Sequence, residues 1–443
     1  MSRHGPSRAI ICAAGPRLEG SRGGDDRGGR PNVRGYFKLA AALTTTATVV
    51  GTLVTGAVVG PAVASAEPCG GISGTGITGI GGLGQQAAGP QGAPPRYAGP
   101  NTRIVDWVSG QAGPNRTFDR FGITGTDLGV SWDNGAGQTL LAFGDTFGSC
   151  VVPGGQWRHN VILRSDDANL ADGLTVPDAV PGDVRSGAAV TALEPRVAQQ
   201  AVSALGLAPV EQTVVPTAGI AVDGVQYLQF MSVRGWNGSV WSTNYAFTAT
   251  SRDNGQTWTP EPSTTRYNTG VTLPGAEQLD GKFQQSAFVR GRDGMVYQYG
   301  TPNGRLGAAY LGRVAPDGLL DLRRFEYWNG SGWSPDVAAA APVVEQPVGE
   351  LSVTWNDYLG RFVMLYGNDV EGRIVARTAP SPEGPWSAPT TLVTNNDVGN
   401  YPGGGLYAPF VLPRSSGDKL YFTASQYSSY QVLLLETDLD ALR

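Results

Sequence analysis

The sequence predicts an all-β protein, a five-bladed β-propeller behind a flexible Gly/Pro-rich N-terminal arm, and three observations carry that prediction. Gly 64 and Pro 31 together exceed a fifth of the 443 residues while only 16% are charged, which favours many turns over long charged helices. From about residue 102 onward, short apolar or alternating runs of four to eight residues are separated by Gly, Asn, Asp and Pro clusters, the pattern of antiparallel strands. These runs fall into five groups spaced by roughly 40–60 residues, the period of propeller blades.

The N-terminus reads as an export signal. Arg34 and Lys38 precede an apolar run from Leu39 to about Val63, and Ala64-Ser65-Ala66 supplies the small residues a signal peptidase needs. Residues 1–66 are therefore expected to be a mis-called extension plus signal peptide, with Val33 as the start, because the stretch before it is rich in Gly and Arg. The mature chain would begin at Glu67, be secreted or held in the cell envelope, and keep no stable membrane insertion. Residues 67–101 are too rich in Gly, Ala and Pro to bury a core and read as a linker. The propeller, expected to be the catalytic domain, occupies 102–443.

Charge and scarce residues exclude several functions. Residues 1–66 hold eight of the 32 basic and three of the 37 acidic residues, which leaves 24 against 34 in the mature chain. An acidic protein of this kind lacks the electrostatic footprint for a phosphate backbone, so nucleic acid is not an expected partner. After cleavage His159, Cys69 and Cys150 remain, too few for Cys/His zinc sites or cysteine-held clusters. In an oxidising compartment Cys69 and Cys150 are expected to pair as a disulfide that ties the arm to the body, with two unpaired thiols as the alternative.

The blades follow in order. The first group (about 124–166) contains GTDLGVSW, the turn DNGAGQ, TLLAFGDTF and HNVILRSD; the second (214–262) contains TAGIAVDG, VQYLQFMSV and NYAFTATSRDNGQTW. The third (283–335) carries QSAFVRGRDGMVYQYGTP and AAYLGRV, the fourth (349–389) ELSVTWNDYLGRFVMLYGN, and the fifth (407–439) APFVLPRSSGDKLYFTASQ and YQVLLLETDL. TRIVDWVSG near residue 102 could add a strand to the last blade and so remove the ring's edges. Between 167 and 211, RVAQQAVSALGLA predicts a short surface helix over 196–208. Ser251 to Trp258 matches the S-x-D-x-G-x-T-W Asp-box of sialidase-like propellers, a hairpin turn in which Asp253 accepts backbone N–H groups, Gly255 takes a positive φ and Trp258 packs back on the blade.

Paired carboxylates are the sharpest chemical signal. A hairpin centred on Ala136 pairs residues whose numbers sum to 272 and puts Asp127 opposite Asp145, with Cβ atoms ~5 Å apart. Two like charges at that spacing need a proton, a cation or an Arg. Glu350 opens the fourth blade's first strand at the corresponding place. Carboxylates converging on the channel mouth are what glycoside hydrolysis requires, with Glu350 as acid and Asp127 or Asp145 as its partner. Arg158, Asn160, Gln284, Gln285 and Arg305 are candidates to grip a sugar, and Trp355, Tyr401 and Tyr407 to stack on one. His159 lacks the G-x-S-x-G elbow that would accompany a serine triad.

The strings TGTDLGVSWDNG, LLAFGDTFG, WRHNVILRSDD, YGTPNGRLGAAYLGRV, GELSVTWNDYLGRFVMLY and APSPEGPWSAP resemble the secreted actinobacterial domain-of-unknown-function 4185 family, which includes endo-D-arabinanases acting on mycobacterial arabinogalactan and lipoarabinomannan. The resemblance covers about 102–439 and implies a glycoside hydrolase with Asp127 and Asp145 as its leading catalytic residues. It implies D-arabinan of the cell wall as partner and no organic cofactor; a structural Ca²⁺ on the axis would suit carboxylate and carbonyl donors. The family often has His near the fifth-blade strand where this chain has Tyr407-Ala408-Pro409-Phe410. The alternative is a non-catalytic, lectin-like wall-binding propeller; a sialidase would need three Arg converging on the substrate.

Overall fold

The computed structural model describes residues 91–268, 280–398, 405–415 and 417–443. The expected signal, most of the arm, Cys69 and with it the expected pairing with Cys150, and Tyr401 lie outside the described residues. The first strand, β1 (Thr102–Trp107), precedes a five-residue helix, α1 (Thr117–Phe121). Blade 1 holds β2 (Leu128–Asp133), β3 (Thr139–Phe143) and β4 (Val161–Ser165). Blade 2 holds β5 (Thr213–Val222), β6 (Val225–Gly235), β7 (Ser242–Ser251) and β8 (Thr259–Tyr267).

Blade 3 holds β9 (Gln285–Arg290), β10 (Val296–Thr301), β11 (Gly307–Val314), β12 (Glu326–Trp328), β13 (Trp333–Ser334) and β14 (Pro342–Val348). Blade 4 holds β15 (Leu351–Asn356), β16 (Arg361–Asn368), β17 (Arg373–Ala379) and β18 (Thr390–Thr394). Blade 5 holds β19 (Leu406–Val411), β20 (Lys419–Gln426) and β21 (Gln431–Asp438).

The described residues thus form five antiparallel sheets, a five-bladed β-propeller. The innermost strands follow one another around the ring in the order β2, β5, β9, β15, β19, and β19 packs back on β2. β1 pairs with β21, from Thr102 opposite Thr437 to Trp107 opposite Leu433. The ring is thereby closed by the strand the sequence marked for it, and the last sheet loses an open edge.

The interior is divided as a propeller demands, with one apolar wedge between each pair of neighbouring blades. Leu140 and Ile162 meet Phe230 and Phe247 between blades 1 and 2. Val296 and Val314 meet Ile220 and Val222 between blades 2 and 3, and Tyr299 and Leu311 meet Met364 and Tyr366 between 3 and 4. Leu365 and Ile374 face Phe422 and Leu433, and Phe143 and Leu163 face Leu434. Each such side chain contributes roughly 1.5–3 kcal/mol on burial, so the blades are held by their flanks and the axial strand ends are left free to carry polar groups.

Two elements differ from expectation. No helix forms over 196–208; the segment is irregular and bridges the outer edge of β4 from Gln200 to Val161, as the stretch before it does from Ala188 to Leu163. Its backbone finds partners elsewhere in the fold instead of along itself: Ala198 N–H donates to Phe121 O at the end of α1, Gln199 N–H to Ala189 O, and the Asn160 side chain bonds both the N–H and the C=O of Val202. Tertiary partners outweigh the local helix propensity, and the three-stranded first blade gains cover for its edge. In blade 3, β14 pairs with the Gly307 end of β11 while β12 takes its other end, an arrangement the strand pattern does not show.

The turn 251–258 has the expected chemistry. Asp253 accepts from Thr257 N–H at 2.9 Å and from its hydroxyl at 2.6 Å, Gly255 has φ 73, and Trp258 meets Trp132 edge-on at 6.4 Å. The buried Arg164 of blade 1 locks onto it through Asn254 O and Gln256 Oε1, both at 2.9 Å. No helix among the described residues is long and apolar enough to cross a membrane.

Candidate active site

All five innermost strands begin around one cavity of about 970 Å³. Asp127 and Asp145 enter it from blade 1, Thr213 and Trp236 from blade 2, Gln285 and Arg305 from blade 3, Glu350 and Asp369 from blade 4, and Tyr407 and Tyr430 from blade 5. Farther along, the same strands line a smaller space of about 280 Å³.

The β2–β3 hairpin has the predicted register from Val130 opposite Ala142 to Asp133 opposite Thr139. A bulge at Leu128 and Gly129, with φ 70 and φ 85, then shifts the pairing by one residue. Asp127 therefore lies opposite Gly144, whose N–H donates to Asp127 O at 3.2 Å, and not opposite Asp145. Gly129 fits the bulge because its left-handed backbone favours a residue without Cβ. Bulges re-aim side chains, and here both carboxylates still line the cavity.

Asp127 has two unlike oxygens. Oδ2 accepts the Tyr407 hydroxyl at 3.0 Å, whereas Oδ1 is buried against Gly144 without a hydrogen-bond partner among the described residues. Burial first, and then the negative charge of Asp145, raise the Asp127 carboxyl to about 8, against the opposing bond from Tyr407. At neutral pH it is mostly the protonated acid.

Asp145 is set otherwise. Its Oδ1 accepts the Thr213 hydroxyl at 2.5 Å and the Trp157 indole N–H at 3.1 Å. Donated hydrogen bonds of this kind suit an ionised carboxylate. Trp157 is fixed in turn by an edge-on contact with the His159 ring at 4.5 Å.

Glu350 is gripped by Arg305 through contacts of 2.8, 2.9 and 3.1 Å, a two-pronged pair between side chains that are largely buried. The guanidinium also lies 4.8 Å from the Tyr407 ring centroid and 5.0 Å from that of Trp241. The Glu350 charge holds the Arg305 guanidinium more firmly protonated than usual against its burial. Burial and the neighbouring Asp127 push the Tyr407 hydroxyl well above its ordinary value, so it remains a donor. One chain of contacts thus runs from Glu350 through Arg305 and Tyr407 to Asp127.

The predicted sugar grips divide. Gln285, Arg305 and Tyr407 reach the cavity; Arg158, Asn160, Gln284 and Trp355 are spent elsewhere. Arg158 donates to Ala198 O and Gly122 O, both at 2.6 Å, and Asn160 to Val202 O and Val214 O. Gln284 is fully buried and bonds Arg266 O, Asp280 O and the Thr243 hydroxyl, while its neighbour Gln285 faces the cavity. Trp355 packs on Phe362 and under Arg292. Side chains alternate faces along a strand, so of the adjacent candidates Gln284 and Gln285 only Gln285 reaches the cavity.

Thr213, Trp236, Asp369 and Tyr430 also line the cavity, and sequence reasoning missed them. The available signal was their place at strand ends and in the Trp-Asn-Gly turn at 236–238. Among the described residues, the charged ones lining the cavity are four carboxylates and Arg305, one Arg where a sialidase would need three. Among the described residues, no cluster of three or more His, Cys, Asp or Glu side chains could hold a metal ion.

The family model described as "Domain of unknown function (DUF4185)" matches residues 112–436, from just before the first blade to the last strand. The chain belongs to the DUF4185 family. Within reach of this DUF4185 chain are two fungal proteins named for a biosynthetic cluster. It is 30% identical to notoamide biosynthesis cluster protein J' of Aspergillus versicolor, over 70% of this chain and 83% of that one. It is 28% identical to protein J of Aspergillus sp. strain MF297-2, over 72% and 84%. A crystal structure described as a "putative hydrolase" from Bacteroides ovatus shares the fold with a TM-score of 0.50 and 14% identity, over 72% of this chain and 87% of that one.

Proposed function

We propose that this protein is a secreted glycoside hydrolase that cleaves D-arabinofuranosyl linkages within cell-wall arabinan. One observation carries the reading: a single cavity brings together Asp127, whose burial raises its carboxyl to about 8, and Asp145, whose Oδ1 accepts the Thr213 hydroxyl and the Trp157 N–H. A carboxyl raised toward its neutral acid, with a second carboxyl that accepts hydrogen bonds in the same cavity, is the arrangement an acid and its partner take in glycoside hydrolysis.

The roles follow from the contacts. Asp127 gives its proton to the glycosidic oxygen as the bond from that oxygen to the anomeric carbon breaks. The positive charge that develops on the sugar faces Asp145 and Glu350, and water supplies the group that replaces the leaving sugar. Asp145 either attacks the anomeric carbon or takes the proton of the attacking water, and the anomeric configuration of the first product tells which. Glu350, expected as the acid, is ill suited to it because Arg305 fills its lone pairs as it would those of an anion. It positions Arg305, which steadies the Tyr407 ring beside Asp127. The uncharged furanoside suits a cavity with one cation among four carboxylates. D-arabinan as the particular polymer rests on the resemblance of the family motifs.

The test is incubation of the purified protein with mycobacterial arabinogalactan and chromatography of the soluble products, beside Asp127→Asn and Asp145→Asn. A ladder of arabino-oligosaccharides that both variants abolish supports the hydrolase. Binding of the polysaccharide without any release would favour the lectin-like propeller.

A further inference from the structure

Trp157 and Trp236 are the tryptophans with large exposed faces among the described residues, at 37% and 48%, and both line the cavity. An indole face left in water forgoes roughly the burial gain of a large side chain. Two of them lining one cavity that also holds carboxylates and Arg305 call for a ligand with an apolar face and hydroxyl edges.

Each is braced against a different part of the site. Trp157 stands at blade 1, its N–H on Asp145 and its edge on His159. Trp236 sits on the loop between β6 and β7, with its ring 5.5 Å from that of buried Trp241, which in turn lies under Arg305. That loop leaves its own blade: Ser239 O accepts the Arg305 N–H at 2.9 Å, Trp241 O accepts from the Asn303 side chain at 2.6 Å, and the Ser239 hydroxyl donates to Asp369 of blade 4. Gly304 allows the approach, since a Cβ there would lie 2.7 Å from Ser239 O. One platform is thus tied to the Asp145 side of the cavity and the other to the Arg305–Glu350 side.

We propose that Trp157 and Trp236 are the stacking platforms of two sugar positions flanking the carboxylates, so that the cavity grips an internal stretch of a neutral furanoside chain. This rests on the glycoside hydrolase reading above and extends it to how the polymer is held. A cavity of about 970 Å³ exceeds what one pentose fills, and its excess of carboxylates disfavours an anionic chain.

The experiment uses the full chain and a ladder of D-arabino-oligosaccharides, with Trp236→Ala, Trp236→Phe and Trp157→Phe. Trp157→Phe keeps a ring while removing the N–H that Asp145 accepts, and thermal melts of each variant verify folding. Trp236→Ala should lower kcat/KM on long chains about tenfold, mainly through KM, leave the shortest cleavable substrate nearly unchanged, and be largely rescued by Trp236→Phe. Equal loss at every length, or none at any length, overturns the platform. Calorimetric titration of the same ladder into Asp127→Asn, with and without Trp236→Ala, separates this claim from the hydrolase reading. Length-dependent binding that needs Trp236 sustains the platform even where wild-type protein shows no turnover; absence of binding at every length overturns it.

Discussion

Tyr407 of blade 5 donates a hydrogen bond of 3.0 Å to Oδ2 of Asp127 in blade 1, although 280 residues separate them in the chain. The bond favours the ionised form of Asp127 and so opposes the burial and the Asp145 charge that raise its carboxyl to about 8. If Asp127 works as the acid, kcat/KM should fall as pH rises through about 8. Removing the donor in Tyr407→Phe destabilises the anion, so the alkaline limb should move to higher pH while activity at pH 6 persists. A pH profile of both proteins decides it; an unmoved limb would mean that another group sets it.

The same raised carboxyl is a stability statement. Between its unfolded value near 3.9 and about 8, Asp127 is protonated in the folded protein and ionised in the unfolded chain. The folded state then binds more protons, so the group's contribution is fully present below pH 4 and is lost as pH rises toward 8. Asp127→Asn keeps the shape without the titration. Its Tm should exceed that of the wild type by about 2–5 °C at pH 7.5 and by much less at pH 4. Equal Tm differences at the two pH values would contradict the shift.

Much of this was legible before any coordinates. Turn residues at blade spacing gave the ring, and TRIVDWVSG its closing strand, because strand and turn chemistry are local. The hairpin arithmetic placed Asp127 and Asp145 in one cavity but missed the bulge at Gly129, whose need arises from blade 5: a Cβ there would meet Thr423 and Val432. Arg158 and Asn160 read as sugar grips because nothing local shows that the segment 196–208 will lie across them. The partnership of Arg305 with Glu350 joins blades 3 and 4, and pairing of that range leaves no trace in one sequence.

Gly144 should prove as sensitive as a carboxylate. Its φ is ordinary, yet a Cβ built on it would lie 2.5 Å from Asp127 Oδ1 and 3.0 Å from Leu128 Cδ1. The side chain that must give way is the acid itself. Gly144→Ala is expected to reduce kcat about 100-fold, the scale of a misplacement of ~1 Å, with a change in Tm of only a few degrees. Steady-state kinetics beside a thermal melt tests this; near wild-type kcat would show that the carboxyl's place is not critical.

Away from the cavity, the ion pair of Arg266 with Asp280 is the interior's most exacting feature. The two meet at 2.7 Å with 2% of each side chain exposed, and the guanidinium lies 5.0, 5.4 and 5.6 Å from the ring centroids of Phe283, Phe325 and Tyr327. A charge left unpaired in such a setting costs about 3–5 kcal/mol. Either Asp280→Leu or Arg266→Met alone should therefore lower the urea midpoint strongly. Replacing both, Arg266→Met with Asp280→Leu, removes the charges together and should cost less than the two single losses combined, a coupling that a double-mutant cycle measures directly. Neither residue lines the cavity, so kcat per folded molecule should stay unchanged in the variants that fold. Purely additive losses would show that the aromatic packing around Arg266, and not its partner, holds blades 2 and 3 together.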